Sequence, residues 1–433
     1  MFKTLIAAFK NPDLRKKILI TLALLLIYRV GCFLPVPGIL PEIYADAVNN
    51  QEGILSLLNA VTGSALANGA FLALGVTPYI NASIIVQLLT VGIPALDRLS
   101  KQGEDGKEKI NLITKIVAVV LAIAQGIGIV LGFKDGLAPI FGANNLWLTG
   151  IFVVLVLVAG SCFTMWLGDR ITDQGISNGL SLIIFIGIIA TSATAIANAF
   201  GSVFGGNLNA LWELLGFLVT VLIVFALIVF FDLAERRIPV QYAKQIKGRK
   251  MYGGQSTHIP MKINASGVMP IIFATAIITF PNLIMQLCGV TRDSGWFAKF
   301  YYDYLGAGGV VYSILVGLLI LAFAYFYAQI QFNPADVSQN LQQNGGFIPG
   351  VRAGRPTVEY LSRISKRITL FGALFLAFIA IVPSVVFKYA VGGSIGLLNA
   401  FTATGMLIVV SVAIELNTGL NAQMLMKRHK NLL

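Results

Sequence analysis

Charged residues are scarce in this chain. Only 12% of its 433 residues are Asp, Glu, Lys or Arg, whereas 57% are hydrophobic; a soluble domain carries about twice that charged fraction. The apolar residues form continuous blocks of about 20 residues, the length that a helix needs to cross the hydrocarbon layer. A transmembrane β-barrel would show short alternating segments instead. The composition therefore predicts an all-α membrane protein.

Cysteine and histidine are also rare, which limits the chemistry available to the chain. The three cysteines (Cys32, Cys162 and Cys288) are an odd number in or beside apolar blocks, so no disulfide framework is expected. Two histidines, His258 and His429, cannot form a metal site by themselves. The sequence has no Walker loop, no HExxH and no G-x-S-x-G. We expect no metal, no cofactor and no catalytic residues, and an intramembrane protease or lipid transferase has no residues to support it.

Acidic residues are missing from the middle of every apolar block. Glu213 lies near the start of one block, and Glu415 lies just past the end of the last one. A charged side chain at bilayer depth costs at least about 2.5–3.5 kcal/mol and usually marks an ion or proton pathway. This argues against a transporter coupled to protons or cations, but a secondary transporter with inverted repeats is kept as the alternative function. A scaffold or insertase without a pore is a third hypothesis.

The apolar blocks predict ten membrane spans, with both termini on one side. Of the 31 Lys and Arg residues, 26 fall in the two terminal segments and four loops on that side, whereas Arg29 lies near the outer end of the first span. Because cytoplasmic loops are enriched in Lys and Arg, this side is predicted to be the cytoplasm, and topology explains most of the net charge of +12. The predicted spans are 18–35, 73–94, 112–133, 149–167, 179–199, 211–231, 268–288, 309–330, 368–388 and 394–414.

Residues 54–72 form a short apolar segment that does not fit the span pattern. Asn59, Gly63, Asn68 and Gly69 interrupt it, and it directly precedes a full span. A short, interrupted apolar segment is typical of a re-entrant or interfacial element, and irregular backbone at membrane depth needs protein or a water-filled cavity around it. An outer loop with one amphipathic helix explains the same pattern.

One nine-residue pattern occurs twice. Residues 75–83 and 267–275 both read G-V-x-P-x-I-x-A-[ST], and each opens an apolar block. In the predicted topology the first block starts outside and the second starts in the cytoplasm, as expected of inverted repeats of five spans each. The alternative is that both are a common way of starting a helix, because proline suits the first turn.

Two predicted cytoplasmic loops, 232–267 and 331–367, are long for connections without a span, and such loops are usually functional. Each carries basic residues near a glycine-containing turn, at 247–250 and at 349–355. Arg and Lys clusters suit a phosphate backbone or an acidic protein surface. We favour docking of a partner here; topology and contact with lipid headgroups are the alternative explanations.

Four motifs carry a family resemblance. Residues 235–244 (ERRIPVQYAK) and 248–260 (GRKMYGGQSTHIP) fall in the first loop, residues 347–352 (FIPGVR) fall in the second, and residues 77–85 (TPYINASII) open a span. The two motifs in the first loop resemble the loop before span 7 of the bacterial SecY family, whose members are the central subunits of protein-conducting channels. The motif in the second loop resembles the family's loop before span 9, and the last motif resembles its span 2. The resemblance covers essentially the whole chain. One departure is Ala353, where the family usually has proline.

The resemblance implies ten transmembrane helices in two inverted pseudo-symmetric halves, 1–200 and 201–433, around a central pore with a lateral gate between helices 2 and 7. The segment 54–72 would be a re-entrant plug helix that closes the outer funnel. By position in the motifs, the implied site residues fall into three sets. The pore ring would be Ile80, Ile84, Leu180, Ile184, Ile272 and Ile408; the plug would include Leu57, Leu58, Ala60, Val61, Gly63 and Leu66; the polar gate residues would be Gln87, Gln125 and Thr279.

The resemblance also implies partners. SecE would clamp the two halves, SecG would bind peripherally, and the SecA ATPase or the elongating ribosome would supply the energy. Arg249, Lys250 and Arg352 would dock these cytosolic partners. Signal peptides, translocating polypeptides and membrane lipids would contact the channel itself. The chain would be a passive conduit and not an enzyme, in the cytoplasmic membrane of a bacterium with both termini in the cytoplasm.

Overall fold

Helices dominate the structure, which is a computed structural model. It describes residues 9–50, 59, 62–132, 136–140, 145–205, 208–242, 245–247, 250–252, 256–264, 267–287, 295–300, 310–386 and 403–430. Within these residues the chain forms fourteen helices and five short strands. Backbone groups in lipid must pair within the segment itself, so long apolar blocks fold as helices. The predicted all-α class is confirmed, with a minor sheet in addition.

Eight helices precede the first strand. The first begins at a proline and is capped by Asn11, whose side-chain oxygen accepts a hydrogen bond from the Asp13 N–H at 3.3 Å. Such a cap satisfies one of the backbone donors left unpaired at a helix start. The helices are α1 Pro12–Gly31, α2 Pro41–Asn50, α3 Thr77–Gly92, α4 Pro94–Ser100, α5 Glu104–Gly132, α6 Leu146–Gln174, α7 Gly179–Phe204 and α8 Leu208–Leu233.

Strands and helices alternate in the rest of the chain. The strands are β1 Glu235–Tyr242, β2 Gln245–Lys247, β3 Lys250–Tyr252, β4 Ser256–Lys262 and β5 Gly346–Phe347. The helices are α9 Met269–Leu287, α10 Trp296–Phe300, α11 Val310–Gln331, α12 Pro334–Gln343, α13 Arg355–Val386 and α14 Ala403–Lys430.

Every predicted span overlaps one long helix, namely α1, α3, α5, α6, α7, α8, α9, α11, α13 or α14. In the described part of the chain, seven helices are long and apolar enough to cross a membrane, or up to eight if the pair α3–α4, bent by 106°, is one span. Helix α1 is less apolar because it carries Arg15, Lys16, Lys17 and Arg29. The count of ten spans therefore stays a prediction.

The chain divides into two compact units. Unit 1 comprises Met1–Leu218, Ala276–Tyr312 and Phe387–Leu433, and unit 2 comprises Val219–Thr275 and Ser313–Val386. This division groups residues that pack compactly together, and it does not follow the boundary between the two predicted inverted repeats. The predicted halves, which meet at residue 200, therefore stay a prediction.

Helix α6 in unit 1 packs closely against its neighbours at two glycines. A Cβ at Gly160 would stand 1.8 Å from the Phe71 carbonyl oxygen, and a Cβ at Gly168 would stand 2.5 Å from Cδ2 of Leu180. Small residues let backbones approach where helices pack without a hydrophobic driving force. These two glycines therefore bring the residues before α3 and the start of α7 against α6.

Much of both predicted loops is regular structure in unit 2. Strand β1 pairs antiparallel with β4 and with β5, so the sheet order is β4-β1-β5. The side chains of β1 alternate, with Ile238 and Val240 buried. They form an apolar cluster with Ile348 and with Leu361 and Ile364 of α13. Val351 packs against the same cluster, so the basic turn at 349–355 stands on a packed scaffold.

The repeated sequence pattern has the same backbone conformation in both places. Gly75 has a φ of +50° and Gly267 has a φ of +61°, a region that favours glycine because it has no Cβ. Helices α3 and α9 begin two residues after these glycines, with Pro78 and Pro270 as their second residues. The local structure agrees with an inverted repeat, and the repeat itself stays a prediction.

Candidate functional site

Four of the six predicted constriction residues belong to one apolar cluster in unit 1. Ile184 is buried in this cluster, and Ile80, Leu180 and Ile408 are partly buried against it. Ile84 is also buried, with 4% of its surface exposed, and lies one turn beyond Ile80 on α3. The structure therefore brings together side chains from α3, α7 and α14.

The predicted constriction residues lie close to helix starts. Ile80 is in the first turn of α3, and Leu180 is in the first turn of α7. The side chain of Asn178 caps α7 by accepting a hydrogen bond from the Leu180 N–H at 3.1 Å. Ile272 is half-buried in the first turn of α9, within unit 2, and Ile408 is in the second turn of α14. Each of these helix starts therefore carries one of the predicted aliphatic residues, and the constriction itself stays a prediction.

The described part of the predicted plug is a run of turns packed inside unit 1. Gly63 and Ser64 have φ values of +70° and +69°, so residues 63–69 are turns and not a regular helix. Leu66 is buried, with 1% of its surface exposed. A plug helix over the preceding residues stays a prediction. Four of the predicted plug residues lie outside the described residues: Leu57, Leu58, Ala60 and Val61.

Side chains of α1 hold this segment. Nη1 of Arg29 donates a hydrogen bond to the Gly63 carbonyl oxygen at 2.5 Å, and the Tyr28 hydroxyl donates one to the Thr62 carbonyl oxygen at 3.4 Å. From the sequence, Arg29 lies near the outer end of the first predicted span, and no sequence pattern connects it with the plug. A cation beside an apolar span was the available signal, since such charges usually have a specific partner.

Two of the three predicted gate residues lie on helices that pack together. Gln87 is half-buried on α3, and its Oε1 is buried with no hydrogen-bond partner. Gln125 is buried on α5, which packs against α3 within unit 1. Thr279 lies on α9, and its side chain is outside the described part of the structure. Polar groups of this kind on neighbouring helices commonly serve as hydrogen-bonding contacts between them.

Arg352 lies exposed in a turn that its neighbours hold in place. The Thr357 hydroxyl donates a hydrogen bond to the Arg352 carbonyl oxygen at 2.7 Å, and the Ser338 hydroxyl donates one to the Gly354 carbonyl oxygen at 3.0 Å. Gly350 and Gly354 have φ values of +83° and +93°. A guanidinium on a fixed turn is suited to bidentate binding of a carboxylate or phosphate.

The second predicted docking site lies on the β2–β3 hairpin. Lys250 begins β3 and pairs with Lys247 of β2 across the hairpin. Arg249, the third predicted docking residue, lies outside the described residues.

The long apolar helices, with a small sheet in unit 2, define a multi-pass helical membrane protein. Residues 70–417 match the family model described as SecY. The chain belongs to the SecY family, and the predicted resemblance is confirmed. It is 42% identical to the protein translocase subunit SecY of Streptomyces galbus over 98% of both chains. It is 39% identical to that of Mycobacterium bovis over the full length of both.

Solved structures show the same fold. A structure described as a protein conducting channel matches with a TM-score of 0.69 at 19% identity, covering 95% of this chain and 92% of that one. Sec61 in a canine ribosome–channel complex from the endoplasmic reticulum matches with a TM-score of 0.64 at 17% identity, with the same coverage of both chains. At these identities the likeness establishes the fold alone.

Proposed function

We propose that this chain is the central subunit of a protein-conducting channel. It passes unfolded secretory proteins across the membrane and releases membrane segments sideways into lipid. One observation carries most of the proposal: Ile80, Leu180, Ile184 and Ile408 share an apolar cluster with Ala65, Ala70 and Leu72 of the segment before α3. Relatives named protein translocase subunit SecY support the same function.

The mechanism follows from the chemistry of this cluster. Aliphatic side chains offer water and ions no hydrogen bonds, so a constriction that they line opposes ion flow by dewetting. The same side chains can rearrange around an extended polypeptide without binding it, and conduction needs such weak binding. Displacing the segment before α3 would free the constriction. Separation of α3 from α9 would then let an apolar segment leave into lipid.

The proposed partners come from the family resemblance and from the need for an energy source. A passive, non-enzymatic channel needs an external source of energy, which we assign to the SecA ATPase or to an elongating ribosome docked at Arg352, Lys250 and Arg249. The match to Sec61 from a ribosome–channel complex supports the ribosome. SecE would clamp the two halves and SecG would bind peripherally. The excess of Lys and Arg on one side of the predicted spans supports both termini lying in the cytoplasm, and the bacterial relatives support a bacterial cytoplasmic membrane.

The alternative, an inverted-repeat secondary transporter, gains no support. Coupled transport needs ionisable groups at membrane depth, and no Asp or Glu lies near the middle of any predicted span. The curated relatives reported above are named as translocase subunits.

Deletion of residues 57–68 tests the proposal through single-channel conductance in planar bilayers. The intact channel is expected to stay mostly closed. The deletion is expected to give frequent large openings, because it removes Leu66, which is buried in unit 1, and the turn held by Arg29. The variant must first be shown to be monodisperse in detergent. Absence of conductance from both proteins would favour a scaffold or insertase without a pore.

A further inference from the structure

Arg29 is a half-buried cation near the end of α1, where its neighbours Ile27 and Val30 are exposed apolar residues. Its Nη1 atom lies 2.5 Å from the Gly63 carbonyl oxygen, and its guanidinium carbon lies 4.9 Å from the centre of the Phe33 ring. A hydrogen bond from a charged donor is shorter and about twice as strong as a neutral one. The guanidinium is therefore the strongest single polar contact between α1 and this turn.

Two other side chains, one on α1 and one just after its end, bind the adjacent carbonyl. The Tyr28 hydroxyl and the Cys32 thiol both donate to the Thr62 carbonyl oxygen, at 3.4 and 3.6 Å. Tyr28 and Cys32 have none of their surface exposed. Residues 28–32 thus supply three donors to two consecutive carbonyls. Because positive φ values take this turn out of the helical conformation, its carbonyls are available to donors from outside the segment.

The same turn lies against α7 and against the glycine just before α3, and both of these helices carry predicted constriction residues. A Cβ at Gly63 would stand 3.1 Å from Cα of Gly187, which lies on α7 about one turn beyond Ile184. A Cβ at Gly75, just before α3, would stand 3.0 Å from Cγ2 of Thr62. Any movement of the turn away from α1 therefore changes the packing beside the constriction.

We propose that Arg29 is a positioning residue that latches the turn at residues 62–64 in the closed channel and thereby sets how readily the channel opens. This inference rests on the proposed function. Loss of a hydrogen bond from a charged donor changes an equilibrium constant by about 10- to 100-fold. A weaker latch raises the open population by the same factor while the closed state predominates. Weak signal peptides then suffice to open the channel, so Arg29 determines signal selectivity.

Hydrogen exchange of the complete protein in lipid nanodiscs tests the latch directly. Arg29→Gln is expected to speed amide exchange over residues 62–71 by about tenfold or more. Arg29→Lys keeps the cation and a single donor, so its exchange is expected to lie between those of the wild type and Arg29→Gln. Arg170→Gln is the matched control: Arg170 is exposed, with its guanidinium 5.7 Å from the Trp166 ring, and this change removes the same charge without affecting the turn.

A second variant changes the other partner of the contact, Gly63, and leaves Arg29 in place. Gly63→Ala leaves the charge unchanged but places a Cβ 2.6 Å from Nη1 of Arg29, so it is expected to speed exchange as well. Unchanged exchange over 62–71 in both Arg29→Gln and Gly63→Ala would overturn the latch, whatever the channel conducts. Faster exchange together with higher closed-state ion leak supports it. Faster exchange in a protein that never conducts supports the contact and rejects the proposed function instead.

Discussion

Replacement of Ile408 by asparagine is expected to raise the ion leak of the closed channel by about tenfold or more and to let proteins with defective signal peptides pass. Ile408 packs against the apolar cluster that also holds Ile80, Leu180 and Ile184. An amide placed there needs hydrogen-bond partners, and an unpaired one costs about 1–3 kcal/mol. Water is the available partner, so the substitution favours a wet constriction. Single-channel recording and a secretion reporter with a defective signal peptide measure the two effects.

Ile408→Val is the matched control for this substitution. It removes one methylene, at a cost of about 0.5–1.5 kcal/mol of stability, but it leaves the surface apolar. Its leak is expected to stay near that of the wild type. If the asparagine and valine variants leak equally, or if conductance and signal selection do not change in either, polarity at this position does not control the gate.

Reversal of charge at Arg352 is expected to reduce partner-driven translocation about 30-fold or more, since truncating one member of a desolvated charge pair costs about 2–5 kcal/mol. Arg352 is exposed on a turn fixed by Thr357 and Ser338, so Arg352→Glu should present a repulsive group without altering the fold. Uptake of a secretory protein by membrane vesicles measures translocation. Immunoblotting of the same vesicles is expected to show normal amounts of the channel.

Two controls separate docking at Arg352 from general electrostatics. Arg352→Lys keeps the charge but loses the planar, bidentate donor geometry of arginine, so its loss of translocation is expected to be smaller. Arg363→Glu makes the same charge reversal at an exposed position on α13. Normal translocation by Arg352→Glu, or an equal loss from Arg363→Glu, would contradict specific docking at the turn.

The helices could be predicted from the sequence, but their ends could not. Each apolar block became a helix because lipid leaves the backbone no other partner. Hydropathy detects only the apolar part of a helix, which is the part that lies in the lipid. Helix α13 therefore begins at Arg355, well before the predicted span at 368–388, and α14 continues to Lys430, well past 414. Helical hydrogen bonding continues through polar residues that hydropathy does not detect.

The small sheet in unit 2 was missed for a different reason. Ile238 and Val240 alternate with polar residues on β1, and this alternation is a strand signal. The alternating stretch is only a few residues long and lies next to two arginines. The sequence therefore indicates a basic docking loop rather than a strand. Strand β5 is also distant in sequence and contributes only two residues, Gly346 and Phe347. No local sequence pattern predicts the pairing of β1 with so short and distant a strand.

The site depended on the family resemblance. An isoleucine of a membrane span is usually a packing residue, so composition and periodicity cannot distinguish Ile184 from its neighbours. The structure adds that four of the predicted residues share one cluster. The contact between Arg29 and Gly63 joins residues 34 positions apart. The sequence places this cation near the end of an apolar span, but only the folded chain identifies its partner.

Site-specific photocrosslinking of a stalled secretory chain tests the central claim, that a polypeptide passes through this protein, most directly. A photoreactive residue is placed in turn at Ile84, at Ile272 and at Leu222, which is 69% exposed on α8. Adducts with the stalled chain are expected at Ile84 and Ile272, and none at Leu222. Adducts at all three positions in equal yield, or none at Ile84 and Ile272, would contradict a conducting path lined by these residues.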